Sequence, residues 1–427
     1  MLDIKLIREN SDLIRENIKK KFQPDRLKNL DKLLKADAEW RKLKKEVDDL
    51  RHKRNDVSQQ INQAKKQGKD VKKLLAEAKK IPELIDEKER KAQLDFDEVK
   101  KELAQIPNLI HESVPLGKDE TENKVIKIWG KPKKFDFTPK THVELVESLG
   151  IADFETSAKT TGAGFYFLKG ELALLNQALI RFAIDFMTKK GYLYVETPLM
   201  LKKQVLSAAV DLPEFEKLIY EVKGEDLGLI GTAEHSILSM LVGSEIPENQ
   251  LPQKIFSYSM CFRKEVGSHG INEKGLWRTH QFNKVEQFIF CKPEDSYKYY
   301  DELLKNSEEI FQALELPFRI IEFCSGALSS WKSKSADLEA WRPTLNDYGE
   351  LGSLSNCTDY QARDLNIKVV RKNGVREVLH TLNNTAIATS RAMVAIIENY
   401  QNKDGTITVP KVLVPYMHGV KVIGKKK

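Results

Sequence analysis

The densest run of residues able to do chemistry is CFRKEVGSHGINEKGLWRTHQFNKVEQFIF, residues 261–290. It reads as a strand, a long polar loop and a return strand. Side chains two apart in a strand share a face, which groups Arg263 with Glu265 and Phe282 with Glu286. An antiparallel pair of this kind presents a cation, two carboxylates and an aromatic plate together. A guanidinium suits a phosphate, and an aromatic face stacks on a base. The competing readings are a charged hairpin decorating the surface and, for Phe282, a buried core residue.

Such a hairpin needs a sheet to hold it. From about residue 124 the sequence mixes helical stretches with short β-rich segments at 192–195, 254–258, 288–291 and 367–370. That pattern predicts an α+β domain around a mainly antiparallel sheet. No GxGxxG and no GxxxxGK[ST] occurs, so neither a Rossmann nor a P-loop nucleotide site is supported. Prolines, a glycine and a charged run mark a linker at about 107–123, and the expected division is 1–112 and 113–427.

Residues 26–105 read differently, as a long helical hairpin. Leu33, Ala36, Trp40, Leu43, Val47, Leu50, Arg54, Val57, Ile61 and Ala64 step by three and four, a heptad seam broken once by Arg54. Gly68 falls where a turn is needed, and Val71, Leu74, Ala78, Ile81 and Ile85 restart the stripe. Pro82 should kink the second helix or mark the start of its main part. Beyond Lys88 the return stripe is less regular.

The hairpin also carries most of the chain's positive excess. Residues 26–105 hold 23 Lys/Arg against 17 Asp/Glu, out of a net charge of +7 for the whole chain. Residues 64–81, at the expected tip, hold seven lysines against Asp70 and Glu77. A rod for dimerisation is the bland reading; a lever touching something large and anionic is the sharper one, and the lysines favour it. No apolar run approaches the roughly 20 residues of a membrane helix, and the N-terminus MLDIKLIREN does not read as a secretory signal. Cys261, Cys291, Cys324 and Cys357 form no CxxC pair, so a reducing cytoplasm is the expected setting.

At this point the residues reach a resemblance. FRKE followed by GLWRTHQFNKVE resembles motif 2 of the class II aminoacyl-tRNA synthetases in its seryl form. GYLYVETPLML (191–201) resembles motif 1, with Pro198 as its proline, and LNNTAIATSRAMVAIIENYQ (382–401) resembles motif 3, with Arg391 as its arginine. GTAEHSI resembles the seryl family's serine-binding segment, and ELGSLSNCTDYQARDLN its metal-and-ATP segment. The hairpin matches that family's N-terminal tRNA-binding arm, so the resemblance spans nearly the whole chain in order.

The resemblance implies an antiparallel class II catalytic domain with a coiled-coil arm, and a serine–tRNA ligase consuming ATP. Arg263 and Arg391 are the implied catalytic arginines, on the α-phosphate and the γ-phosphate. Lys264, Glu265, Phe282, Glu350, Leu351, Gly352 and Ser353 complete the implied ATP site, with Mg2+ on Glu350 and Ser353. Thr232, Ala233, Glu234, Arg263, Glu286 and Thr385 are the implied serine contacts. Lys65, Lys66, Lys69, Lys72 and Lys73 are the implied tRNA contacts, and motif 1 implies a homodimer. Whether tRNA for selenocysteine is also charged stays open.

Some positions depart from the usual pattern. Gly352 stands where the family commonly has serine, Ala336 where tyrosine is common, and Asn384-Thr385 where bacterial forms have Gly-Ser. These lean towards archaeal and eukaryotic forms. His269 and His280 read as structural or loop residues, because a carboxylate attacking a phosphorus needs positioning and charge neutralisation rather than a base. The C-terminal GVKVIGKKK reads as a frayed basic tail. Two other classes of function remain: a paralogue loading a carrier protein, which the basic hairpin disfavours, and a non-catalytic scaffold, which the intact charged set disfavours.

Overall fold

The heptad seam of the N-terminal segment closes into two antiparallel helices, α1 (Arg26–Lys66) and α2 (Lys72–Leu103). At 1.5 Å per residue α1 reaches roughly 60 Å. Leu33, Ala36, Val47, Val57 and Ile61 are buried on α1, the last three clustered with Ile81 and Ile85 of α2, while Arg54 is exposed. The turn relies on Gly68, whose φ of 69° favours glycine, and the Asp70 carboxylate accepts from Lys72 N at 2.9 Å. The helix does not restart at Pro82: it begins at Lys72 and runs through an exposed Pro82. The irregular return stripe is also resolved. Phe96 stacks on Trp40 with centroids 5.1 Å apart, and Val99 and Leu103 are buried. Lys65, Lys66, Lys69, Lys72 and Lys73 are all exposed.

The computed structural model describes residues 1–209, 218–265 and 274–424, and the chain divides into Met1–Pro107 and Asn108–Lys427. In the second unit the larger sheet has eight strands: β1 (Lys124–Trp129), β2 (Leu193–Tyr194), β3 (Gln253–Phe262), β4 (Gln281–Cys291), β5 (Phe318–Glu322), β6 (Lys334–Arg342), β7 (Asp347–Thr358) and β8 (His380–Ala388). Their order is β1-β5-β6-β7-β8-β4-β3-β2, antiparallel except for the β2–β3 pair. Buried apolar residues from these strands and from helices α3 (Gly170–Lys189), α5 (Ser296–Ala313) and α6 (Thr389–Asn399) form one continuous core. The short helix α4 (Ala233–Ser239) packs in a second cluster with Phe288 and Phe290 of β4.

Strand alternation divides the sheet into a back and a front. On the back, Gln287 donates to Ser307 Oγ at 3.1 Å, and Asn384 donates to Leu303 O at 2.7 Å and Ser307 Oγ at 2.9 Å, tying β4 and β8 to α5. Their neighbours Glu286, Asn383 and Thr385 therefore face the front. The four cysteines are free and buried. Among the described residues, no helix is long and apolar enough to cross a membrane.

Candidate active site

The front of the sheet carries a cavity of about 370 Å³, lined from β4, β7 and β8, the segment after β3, and the starts of α4 and α6. Phe282, Lys284 and Glu286 reach it together because they alternate along β4. Glu350 and Ser353 are three apart on β7 and would point to opposite faces of a regular strand. The ladder skips Leu351, pairing Leu338 with Gly352 and Glu339 with Glu350, and this bulge brings both side chains into the cavity. β3 ends at Phe262, so Arg263 and Glu265 reach the cavity from beyond its last residue, Glu265 at a φ of 51°. The same-face expectation for them thus gives way to a turn, with both still lining the cavity.

At one end of the cavity, guanidiniums and carboxylates alternate. Arg263 donates Nε to Gly231 O at 3.1 Å and lies 5.3 Å from the Phe282 ring centroid. Arg278 pairs with the buried Glu265 at 2.7 Å. Arg391 Nη1 lies 3.0 Å from Glu350 Oε2 and donates to Glu350 O at 3.1 Å. Burial alone would raise the Glu350 carboxyl, but Arg391 and Arg263 outweigh it and hold it below the usual range. Glu350 thus feels both arginines at once. Beside it, burial and the Glu350 charge push Asp337 up to about 8. Asp337 Oδ1 is buried and meets no donor among the described residues.

The other end is a knot around two carboxylates. Thr232 donates to Glu286 at 3.1 Å, and Lys284 pairs with the same Glu286 oxygen. Asn383 donates to Glu234 at 2.9 Å and to Glu286 at 3.4 Å, and Gln361 donates to Glu234 at 2.7 Å. Burial, then the Glu286 charge, pushes Glu234 above its ordinary range. Two adjacent carboxylates supply a place for an ammonium group. Thr385 stands directly across the ladder from Glu286. A Cβ at Gly352 would lie 3.0 Å from Thr385 Cβ, so glycine at 352 leaves room for threonine at 385 and two departures from the usual pattern become one fit.

Twelve expected residues thus line one cavity: Thr232, Glu234, Arg263, Glu265, Phe282, Glu286, Glu350, Leu351, Gly352, Ser353, Thr385 and Arg391. Ala233 and Lys264 are not among the lining residues; Ala233 is fully buried at the start of α4, and Lys264 N donates to Leu218 O at 2.9 Å. His280 holds the segment after β3 through Arg263 O at 2.9 Å and does not line the cavity. His269 and the final lysines 425–427 lie outside the described residues; the start of the tail is not frayed, since Val422–Ile423 pairs with Ile407–Thr408 and Ile423 is buried. Ala336 is buried in β6. The sequence reading passed over Lys284, Asp337 and Asn383. Lys284 and Asn383 were findable, each two residues from a chosen neighbour on the same strand face.

A buried cluster supports the wall behind Arg391. Arg342 donates to Glu398 at 3.1 and 2.7 Å, and His142 Nδ1 lies 3.3 Å from Glu398. Burial would raise Glu398, but hydrogen bonds from His142 and Arg342 hold it below the usual range. A depressed carboxyl stabilises the fold above its unfolded pKa and loses that contribution as pH falls through the folded one. Glu398→Gln should therefore cost about 3 kcal/mol at pH 7. Thermal unfolding at pH 7 and near pH 4 should show the difference from the native chain shrinking in acid.

Comparison with known proteins bears on this geometry directly. Residues 1–110 match the model of the seryl-tRNA synthetase N-terminal domain, and residues 217–400 match that of the tRNA synthetase class II core domain (G, H, P, S and T). A serine–tRNA ligase of Methanocella arvoryzae is 46% identical over 99% of this chain and 100% of its own length. The crystal structure of seryl-tRNA synthetase from Pyrococcus horikoshii complexed with ATP is 41% identical, covers all of both chains and superposes with a TM-score of 0.95. That of a cytoplasmic serine–tRNA ligase from Naegleria fowleri in complex with AMP is 36% identical, covers 100% of this chain and 99% of its own, and gives a TM-score of 0.88.

Proposed function

The chain belongs to the class II seryl-tRNA synthetases and is a serine–tRNA ligase, and on that footing we propose how its cavity works. ATP lies along the arginine-rich end, with its base on Phe282, its α-phosphate at Arg263 and its γ-phosphate at Arg391. Serine sits over the carboxylate knot, its ammonium between Glu234 and Glu286 and its hydroxyl near Thr385. The serine carboxylate attacks the α-phosphorus, the bond to the bridging oxygen breaks, and pyrophosphate leaves past Arg391. The 3′-hydroxyl of the terminal ribose of tRNA then attacks the carbonyl carbon of the adenylate, and AMP departs. Arg263 neutralises the charge that builds on the α-phosphate in the first step. The observation that carries this reading is that Arg263, Phe282, Glu350 and Arg391, distant in sequence, line one cavity, with Arg391 3.0 Å from Glu350.

The donor set also suits Mg2+. Among the described residues no group of three or more His, Cys, Asp or Glu is placed to hold a metal, so a protein-only cage is not the arrangement. Glu350 and Ser353, with the unpartnered Asp337 Oδ1 beside them, offer a few hard oxygens, which suits a cation that takes its remaining ligands from phosphate and water. When bound, Mg2+ would neutralise phosphate charge. Asp337→Asn should raise the Mg2+ concentration needed for half-maximal exchange severalfold, measured by titrating the metal at fixed ATP.

The arm grips tRNA through its exposed tip lysines, and the chain pairs as a homodimer through the motif 1 region, where Leu193 and Met200 expose apolar surface. Four free, buried cysteines suit a reducing cytoplasm. Serine-dependent exchange of pyrophosphate into ATP, with alanine, cysteine and threonine as competitors, tests the pocket. Serine should be preferred over alanine by a factor on the order of 10⁴, because an alanine leaves buried polar groups unpaired. Equal support by alanine would remove the assignment of Thr385.

A further inference from the structure

One group in the cavity wall has no part in the reading above. Trp277 lies in the segment leading into β4, and two guanidiniums sit over its ring: Arg342 at 4.2 Å and Arg391 at 5.5 Å from the centroid. The two differ in freedom. Arg342 is buried and has both Nε and Nη2 committed to Glu398. Arg391 is partly exposed, with Nη1 on Glu350 and Nε on Trp277 O at 3.4 Å.

The indole itself is held from several directions. Leu276 N donates to His142 Nε2 at 3.1 Å, which leaves the His142 proton on Nδ1, towards Glu398. One buried carboxylate therefore fixes both the backbone before Trp277 and the guanidinium over its ring. Gly349 permits the close approach: a Cβ there would stand 2.6 Å from Trp277 Cζ2 and 3.1 Å from Arg342 Cδ. Any side chain at 349 must displace the ring.

We propose that Trp277 is the positioning residue for Arg391: Glu398, Arg342 and the bare Cα of Gly349 fix the indole, and its ring and carbonyl aim the Arg391 guanidinium at the terminal phosphates of ATP. This rests on the reading of Arg391 as the γ-phosphate ligand. A planar guanidinium stacked on an aromatic face loses rotational freedom while keeping its in-plane donors available. The effect must therefore appear with the triphosphate and not with the nucleoside monophosphate, whose contacts lie at Arg263 and Phe282.

The test is calorimetric titration of the full chain with MgATP and with AMP, alongside exchange kinetics, for Trp277→Leu, Trp277→Phe and Gly349→Ala. Trp277→Leu should weaken ATP about tenfold and AMP by less than about twofold, with KM rising for ATP and not for serine. Trp277→Phe, which keeps a ring, should recover part of the loss. Gly349→Ala, which alters no charge, should repeat the Trp277→Leu pattern. Equal losses of ATP and AMP, or a loss of thermal stability with no selective change in ATP binding, would make the indole a packing residue only and overturn the proposal. If the native chain binds AMP but gains nothing from the extra phosphates, the reading of Arg391 fails instead.

Discussion

Arg263→Ala should lower serine-dependent exchange by about a thousandfold with little change in thermal midpoint. The size follows from the demand on one side chain. Arg263 is fixed by Gly231 O and by the Phe282 ring, so it is aimed before substrate arrives. Preorganised donors of this kind are each worth on the order of a hundred- to a thousandfold at a centre where charge develops. An alanine also removes one of the cations that, after Arg391, lower the Glu350 carboxyl. Arg263→Lys should recover only part of the rate, since an ammonium cannot reproduce the planar fork. Both effects should fall on kcat more than on KM for serine, because the charge concerned appears in the transition state. A variant that keeps a tenth of native exchange would place the α-phosphate elsewhere.

Cutting back the arm should produce the opposite division of activities. Lys88 pairs with Glu46 across the hairpin, so joining 46 to 88 through a short glycine turn removes the outer hairpin cleanly. That cut takes away Val47, Val57, Ile61, Ile81 and Ile85, which form a cluster of their own. The root keeps Trp40 against Phe96 and the buried Asp37 between Arg8 and Arg41. Exchange needs no tRNA and should stay within about twofold, while charging efficiency should fall by a hundredfold or more, since several phosphate contacts are lost together. The milder Lys65, Lys66, Lys69, Lys72 and Lys73 to glutamine variant should charge more weakly and show a flatter dependence on salt. Equal loss of exchange and charging would mean that the arm supports the fold rather than tRNA.

The periodic parts of the molecule were the most legible in the sequence. A seam of steps of three and four has one physical solution, and Arg54 appears on the exposed side of it for the same reason that it broke the pattern. The strands carrying the cavity were also readable, because Phe282 and Glu286 keep period two. What escaped were irregularities. Glu350 and Ser353 reach one face only through the bulge at Leu351, and no alternation rule predicts where a ladder skips a residue. Asp337 gave no signal, since a carboxylate in a strand is ordinarily solvated. Trp277 reads as core from its type alone, and its two guanidinium neighbours come from β6 and α6, more than sixty residues further along the chain. The fit of Gly352 to Thr385 likewise needed coordinates, because two departures from a pattern look independent until their Cβ positions meet.

A crystal structure of the chain with serine, Mg2+ and a non-hydrolysable ATP analogue would test the site most directly. The base should lie on Phe282, the α-phosphate against Arg263, the γ-phosphate against Arg391 and the cation on Glu350. Phosphates resting on any other surface, with those four side chains unengaged, would contradict it.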